Sequence, residues 1–143
     1  MSVLALLVGF ALSSPAFHSG GTIPRLYTCD GRNVSPPLRW TAPPRATRSF
    51  GLTVTDPDAP GGTFVHWVAW GIPGSARKLA PGARPMYESK NSAGRPGYTG
   101  PCPPAGPAHR YVFRLYALDA RVSPPFGKHV LAAATLVGRY SRR

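Results

Sequence analysis

The stretch "SFGLTVTDPDAPGGTFVHWVAWGI", residues 49 to 72, limits the fold more than any other part of the chain. Its first half alternates Phe50, Leu52 and Val54 with small or polar residues, the period-two mark of a strand with one buried face. The alternation stops at Asp56-Pro57, because proline has no N–H to give to a sheet ladder. Gly61-Gly62 then allows a tight return. "FVHWVAWGI" (64 to 72) is apolar at both alternating sets of positions, as expected of a central strand covered on both sides. The unit reads as two antiparallel strands joined by a stiff turn.

A third strand is expected at "RYVFRLYAL" (110 to 118), with Tyr111, Phe113 and Leu115 on one face. Val112, Tyr116 and Leu118 share the other face with Arg110 and Arg114. Residues 73 to 108 read as loop, thick with glycine and proline. "KHVLAAATLVGRY" (128 to 140) is expected to open as a short helical turn through its alanines and to finish as the strand "TLVGRY". No segment carries a long helical period, so the fold class is mostly β with few, short helices.

A length of 143 residues suits one domain with a true core. The apolar run Val3 to Leu12 is too short to cross a bilayer as a helix. No Lys or Arg precedes it, so a first strand is favoured over a signal peptide and a cytoplasmic location over export. The alternative is cleavage after Ala16, which would make the protein exported. Cys29 and Cys102 belong to no metal-spaced pair, and one bridge between them goes with the exported alternative.

Net charge is +12, from 17 Lys and Arg against five Asp and Glu. The cations are scattered, with no basic run or basic helix, so nucleic acid is not expected as the main partner. The basic surface favours anionic ligands or membrane faces of any kind. Trp40, Trp67 and Trp70 read as core residues and not as a base-stacking platform.

Two of the five acids, Asp56 and Asp58, stand in the rigid turn, and His66 follows in the next strand. A buried imidazole needs partners for its ring nitrogens. Pairing of the two strands would bring Asp56 or Asp58 within hydrogen-bonding reach of His66. His109 heads the third strand after "GYTGPCPPAGPA" (97 to 108), whose prolines suit a preformed rim. Strand ends with rigid loops are where binding sites are usually built. Ser35, followed by two prolines, reads as structural; no nucleophile elbow or metal-ligand spacing is present.

With these stretches in view, the chain resembles the phosphatidylethanolamine-binding proteins, in particular their bacterial Raf-kinase-inhibitor-like branch. The stretches are "SPAF" (14 to 17), "YTCDGRNVSPPLRW" (27 to 40), "TDPDAP" (55 to 60), "HWVAWGIP" (66 to 73), "GYTGPCPP" (97 to 104), "HRYVFRLYALD" (109 to 119) and "HVLAAATLVGRY" (129 to 140). They cover nearly the whole chain; residues 1 to 7 fall outside. The resemblance implies a large antiparallel sheet packed with a smaller one, and a small preformed pocket for phosphate or a phosphoryl head group. Carried over, its residues are Asp56, Asp58, His66, Gly100, Pro103, Pro104, His109 and Tyr111, with no cofactor and no catalytic residue. A carboxylate accepting a ring N–H from one of these histidines would hold the imidazole in one tautomer and favour its protonated form, leaving the other nitrogen for the anion.

Regulation of a partner enzyme would be a further role of such a binder, the partner unspecified. The alternatives are a hydrolase with a His-Asp site and a secreted peptidase inhibitor. The short segment 119 to 127 implies that the helix usual before "HVLA" is reduced or missing.

Overall fold

Strands β3 (Ser49–Asp56), β4 (Phe64–Pro73), β7 (His109–Leu118) and β8 (Val130–Tyr140) make the body of the molecule. They belong to a computed structural model that describes residues 9–85 and 87–143. Two-residue strand β6 (Tyr87–Glu88) completes a five-stranded sheet in the order β6-β4-β3-β7-β8, antiparallel throughout. A smaller antiparallel sheet holds β1 (Leu12–Ser13), β2 (Leu38–Trp40) and β5 (Lys78–Leu79) in the order β1-β2-β5. The expected strand pair and the two-sheet architecture are therefore present. Of the expected first strand, only Leu12 and its neighbour Ser13 pair; residues 3 to 8 lie outside the described residues.

The core fills the space between the sheets because one face of each strand is apolar. Phe50, Leu52 and Val54 of β3 stand beside Ala117, Leu115 and Phe113 of β7, and all six are buried. Trp40 of the small sheet meets Phe50 edge-on, with ring centroids 5.3 Å apart. Trp40 and Trp67 are thus core residues, while half-buried Trp70 stacks on Tyr87.

Two expectations need correction. The alanines at 132 to 134 continue β8, with Ala132, Ala133 and Ala134 paired to Ala117, Tyr116 and Leu115. Ladder hydrogen bonds to β7 override alanine's helical propensity there. The only helical turn nearby is the 3₁₀ segment Gly127–His129, before the strand. Nor is β4, which lies inside the sheet, covered on both faces: His66, Trp67, Ala69 and Ile72 are buried, whereas Phe64, Val65, Val68 and Trp70 are only half-buried. It has one full-length neighbour, β3, with β6 on its other side. Its register slips by one residue at His66: Val54 pairs Trp67 while Thr55 pairs Val65. Such a β-bulge re-aims a side chain. His66 stays with Phe64 on the core side, and Trp67 follows it there, so Val68 and Trp70 do not share its face.

Candidate functional site

The bulge, the turn after β3 and the loop before β7 converge on one cleft of about 250 Å³. Asp56, His66, Gly100, Pro103, Pro104, His109 and Tyr111 all line it. Asp58, the eighth residue expected there, does not. Its carboxylate instead accepts a bidentate pair from Arg110, Nε at 3.0 Å and Nη2 at 2.8 Å, plus the Arg110 backbone N–H. Arg110 holds the Asp58 carboxyl far below the usual carboxylate range, chiefly through these hydrogen bonds.

The expected Asp–His66 bond is also absent. Asp56 is split between two other partners: Oδ1 accepts the Asp58 N–H at 2.8 Å, and Oδ2 takes His109 Nδ1 at 2.7 Å. The first bond closes an Asx turn that the flanking prolines hold. The second fixes the His109 ring. His66 Nδ1 donates to the Thr99 carbonyl at 2.6 Å, and His66 O accepts the Thr99 N–H at 3.0 Å. A carbonyl cannot donate, so the His66 proton sits on Nδ1. The bulge explains the change of partner, since it turns His66 toward the 97–100 segment.

Burial pushes the His66 pKa down, and the Thr99 bond and the Asp56 charge offset only part of this. The expected carboxylate–imidazole pair is thus found at His109 and not at His66, whose ring is neutral near pH 7 in the free protein, with the Nε2 lone pair unused.

Tyr111 lies against His66, the rings nearly perpendicular at 5.2 Å. It is 1% exposed, and its hydroxyl has no hydrogen-bond partner in the protein. Burial and the nearby Asp56 charge push its pKa well up, so it remains a donor at any physiological pH. Asp56 acts on it as a charge and not as a well-aligned acceptor.

Several contributors were missed from the sequence. Ala59, Pro60, Phe64, Thr99 and Cys102 also line the cleft. Asn91 is buried outside it and braces its wall, giving Nδ2 to Gly97 O at 3.0 Å and Thr99 Oγ1 at 2.9 Å. Thr99 and Cys102 fall inside the "GYTGPCPP" stretch, so a signal existed; Asn91 had none. Cys29 and Cys102 form a disulfide with Cα atoms 5.4 Å apart. No cluster of three or more potential metal ligands occurs among the described residues.

The family model "Phosphatidylethanolamine-binding protein" matches residues 13–141. The chain belongs to that family. It is 42% identical to a UPF0098 protein of Methanothermobacter thermautotrophicus, over 92% of this chain and 98% of the other. A Mycobacterium tuberculosis protein named "Putative lipoprotein LppC" is 42% identical over 90% of this chain, which spans 65% of LppC's length. Among solved structures, the phosphatidylethanolamine-binding protein homologue CT736 of Chlamydia trachomatis superposes with a TM-score of 0.88 at 36% identity. The match covers 94% of this chain and 99% of CT736. Family membership supports a binding protein over an enzyme. No helix among the described residues is long and apolar enough to cross a membrane.

Proposed function

We propose that the cleft binds a small phosphoryl-bearing anion, phosphate or a phosphoethanolamine-type head group, without turning it over. The observation that carries this is the buried Tyr111 hydroxyl, a donor with no protein partner beside two imidazoles whose Nδ1 atoms are already used. A buried donor left unmade costs about 1–3 kcal/mol, which an acceptor oxygen recovers on binding. The Nε2 atoms of His66 and His109 supply the other contacts. Hydrogen phosphate suits neutral His66, because its own O–H donates to Nε2 while its charged oxygens accept from Tyr111.

The site is a poor catalyst. Cys102 is held in the disulfide, the Thr99 hydroxyl is engaged by Asn91, and the Tyr111 hydroxyl resists ionisation. Ser35 is buried and lines a different cleft, with Asn33, Glu88 and Tyr98. Calorimetric titration with phosphate and phosphoethanolamine, beside a p-nitrophenyl phosphate turnover assay, tests the proposal. Saturable binding without turnover is expected. Steady turnover lost on His66→Ala would overturn it in favour of a hydrolase.

A further inference from the structure

The disulfide stands where a purely structural bridge has no need to be. Cys102 is exposed and lines the cleft, and Cys29 is half-buried in the facing segment. That segment is already tied to the cleft wall by three other bonds. Tyr98 Oη donates to Tyr27 O at 2.7 Å, Gly100 N to Asn33 Oδ1 at 2.8 Å, and Cys29 N to Pro101 O at 3.1 Å. Breaking the bridge would therefore leave the wall attached. Arg142 places Nη1 3.6 Å from Cys102 Sγ, and its Nη2 is held 3.1 Å from Asp30 Oδ1. A guanidinium beside one sulfur of a disulfide stabilises the thiolate that this sulfur becomes on leaving. Disulfide exchange is faster when the leaving thiol is the better-stabilised thiolate, and exposed bridges are the labile ones.

We infer that Cys29–Cys102 is a thiol-exchange site for small dithiol reductants, with Arg142 stabilising Cys102 as the leaving sulfur. A reductant thiolate attacks Cys29 Sγ; the Cys29–Cys102 bond breaks and its electron pair leaves on Cys102. The second reductant thiol then displaces Cys29 from the mixed disulfide, yielding a cyclic disulfide. Two electrons pass to the protein, and its two thiolates take up protons according to pH. The product carries a free Cys102 in the wall of the cleft. Building on the anion-binding proposal, this adds a negative thiolate beside the ligand at alkaline pH and weakens phosphate binding there. Arg142 is a positioning residue in this chemistry, since it acts through sulfur.

The exchange is tested without any ligand by timing thiol release from the native protein with dithiothreitol. Wild type, Arg142→Ala and Arg142→Lys are compared, with circular dichroism confirming the fold throughout. The expected result is a rate linear in dithiothreitol, slowed roughly 3- to 10-fold in Arg142→Ala and mostly restored in Arg142→Lys. A rate that saturates with reductant, loss of fold on reduction, or equal rates in all three proteins would overturn the inference. In the folded, reduced protein, phosphate affinity should fall at pH 8.5 more than at pH 6. Failure of oxidised protein to bind phosphate at all would instead count against the anion-binding proposal.

Discussion

Replacing Tyr111 with phenylalanine separates a ligand donor from a packing residue. The ring is buried against His66, and phenylalanine keeps the ring while removing only the hydroxyl. That hydroxyl has no protein partner, so its removal breaks no intramolecular bond. Deleting an unpaired buried donor removes the penalty it carries in the free protein, so urea denaturation should find Tyr111→Phe at least as stable as wild type, by up to about 1–3 kcal/mol. In the complex the same hydroxyl donates to an anion, a bond worth about 1.5–3 kcal/mol. At 1.4 kcal/mol per tenfold, phosphate affinity should drop roughly 10- to 150-fold by calorimetry. Stability lost by about 1 kcal/mol or more, with affinity unchanged, would refute the reasoning. It would mean that Asp56 holds the hydroxyl and the ligand does not.

Asp56→Asn should weaken phosphate binding although it removes a negative charge, because a single amide oxygen cannot serve both the Asp58 N–H and His109 Nδ1, and the uncharged group no longer supports a protonated His109; tighter binding in calorimetry would show simple charge repulsion instead. Sulfate, which has no proton to give at these pH values, should bind less well as pH rises from 5 to 8, because His66 Nε2 donates only when the ring is protonated. Phosphate should lose less over the same range, and equal slopes for the two anions would contradict the His66 assignment. The folded pKa of His66 lies below the ordinary histidine value of 6.5, so the unfolded chain binds the proton first. The stability this group contributes is therefore full above pH 6.5 and lost as pH falls below it, and thermal melts of His66→Gln should show a flatter acid limb. Gly100→Ala should cost about 1–3 kcal/mol and disturb the cleft, since a Cβ there runs into the Asn33 side chain and the Tyr27 carbonyl; an unchanged melting temperature would refute this.

The four long strands were largely legible because burial on one face leaves a period of two, and β8 was misread only where alanine carries no such signal. Strands β2, β5 and β6 are two or three residues long, too short for any period to show. Seven of the eight expected site residues share the cleft because the motifs that hold them end adjacent strands. Their bonding was not legible. A one-residue bulge at His66 cannot be read from alternation, nor could the partners be: Thr99 holds His66, and Asp56, at the end of β3, holds His109 at the start of β7. Asp58 looked equivalent to Asp56, yet it sits two residues further into the turn, within reach of Arg110. The scarce negative charge of the turn therefore has two separate uses. One carboxylate orients an imidazole, and the other clamps the turn to the start of β7.

The most direct measurement is long-range ¹⁵N NMR of the four imidazoles during a phosphate titration. The Nε2 resonances of His66 and His109 should move together along one saturable curve, with Nδ1 of both nearly still and with His18 and His129 unmoved. Shifts confined to His18 and His129, or no saturable shift at Nε2 of His66 and His109, would contradict an anion site in this cleft.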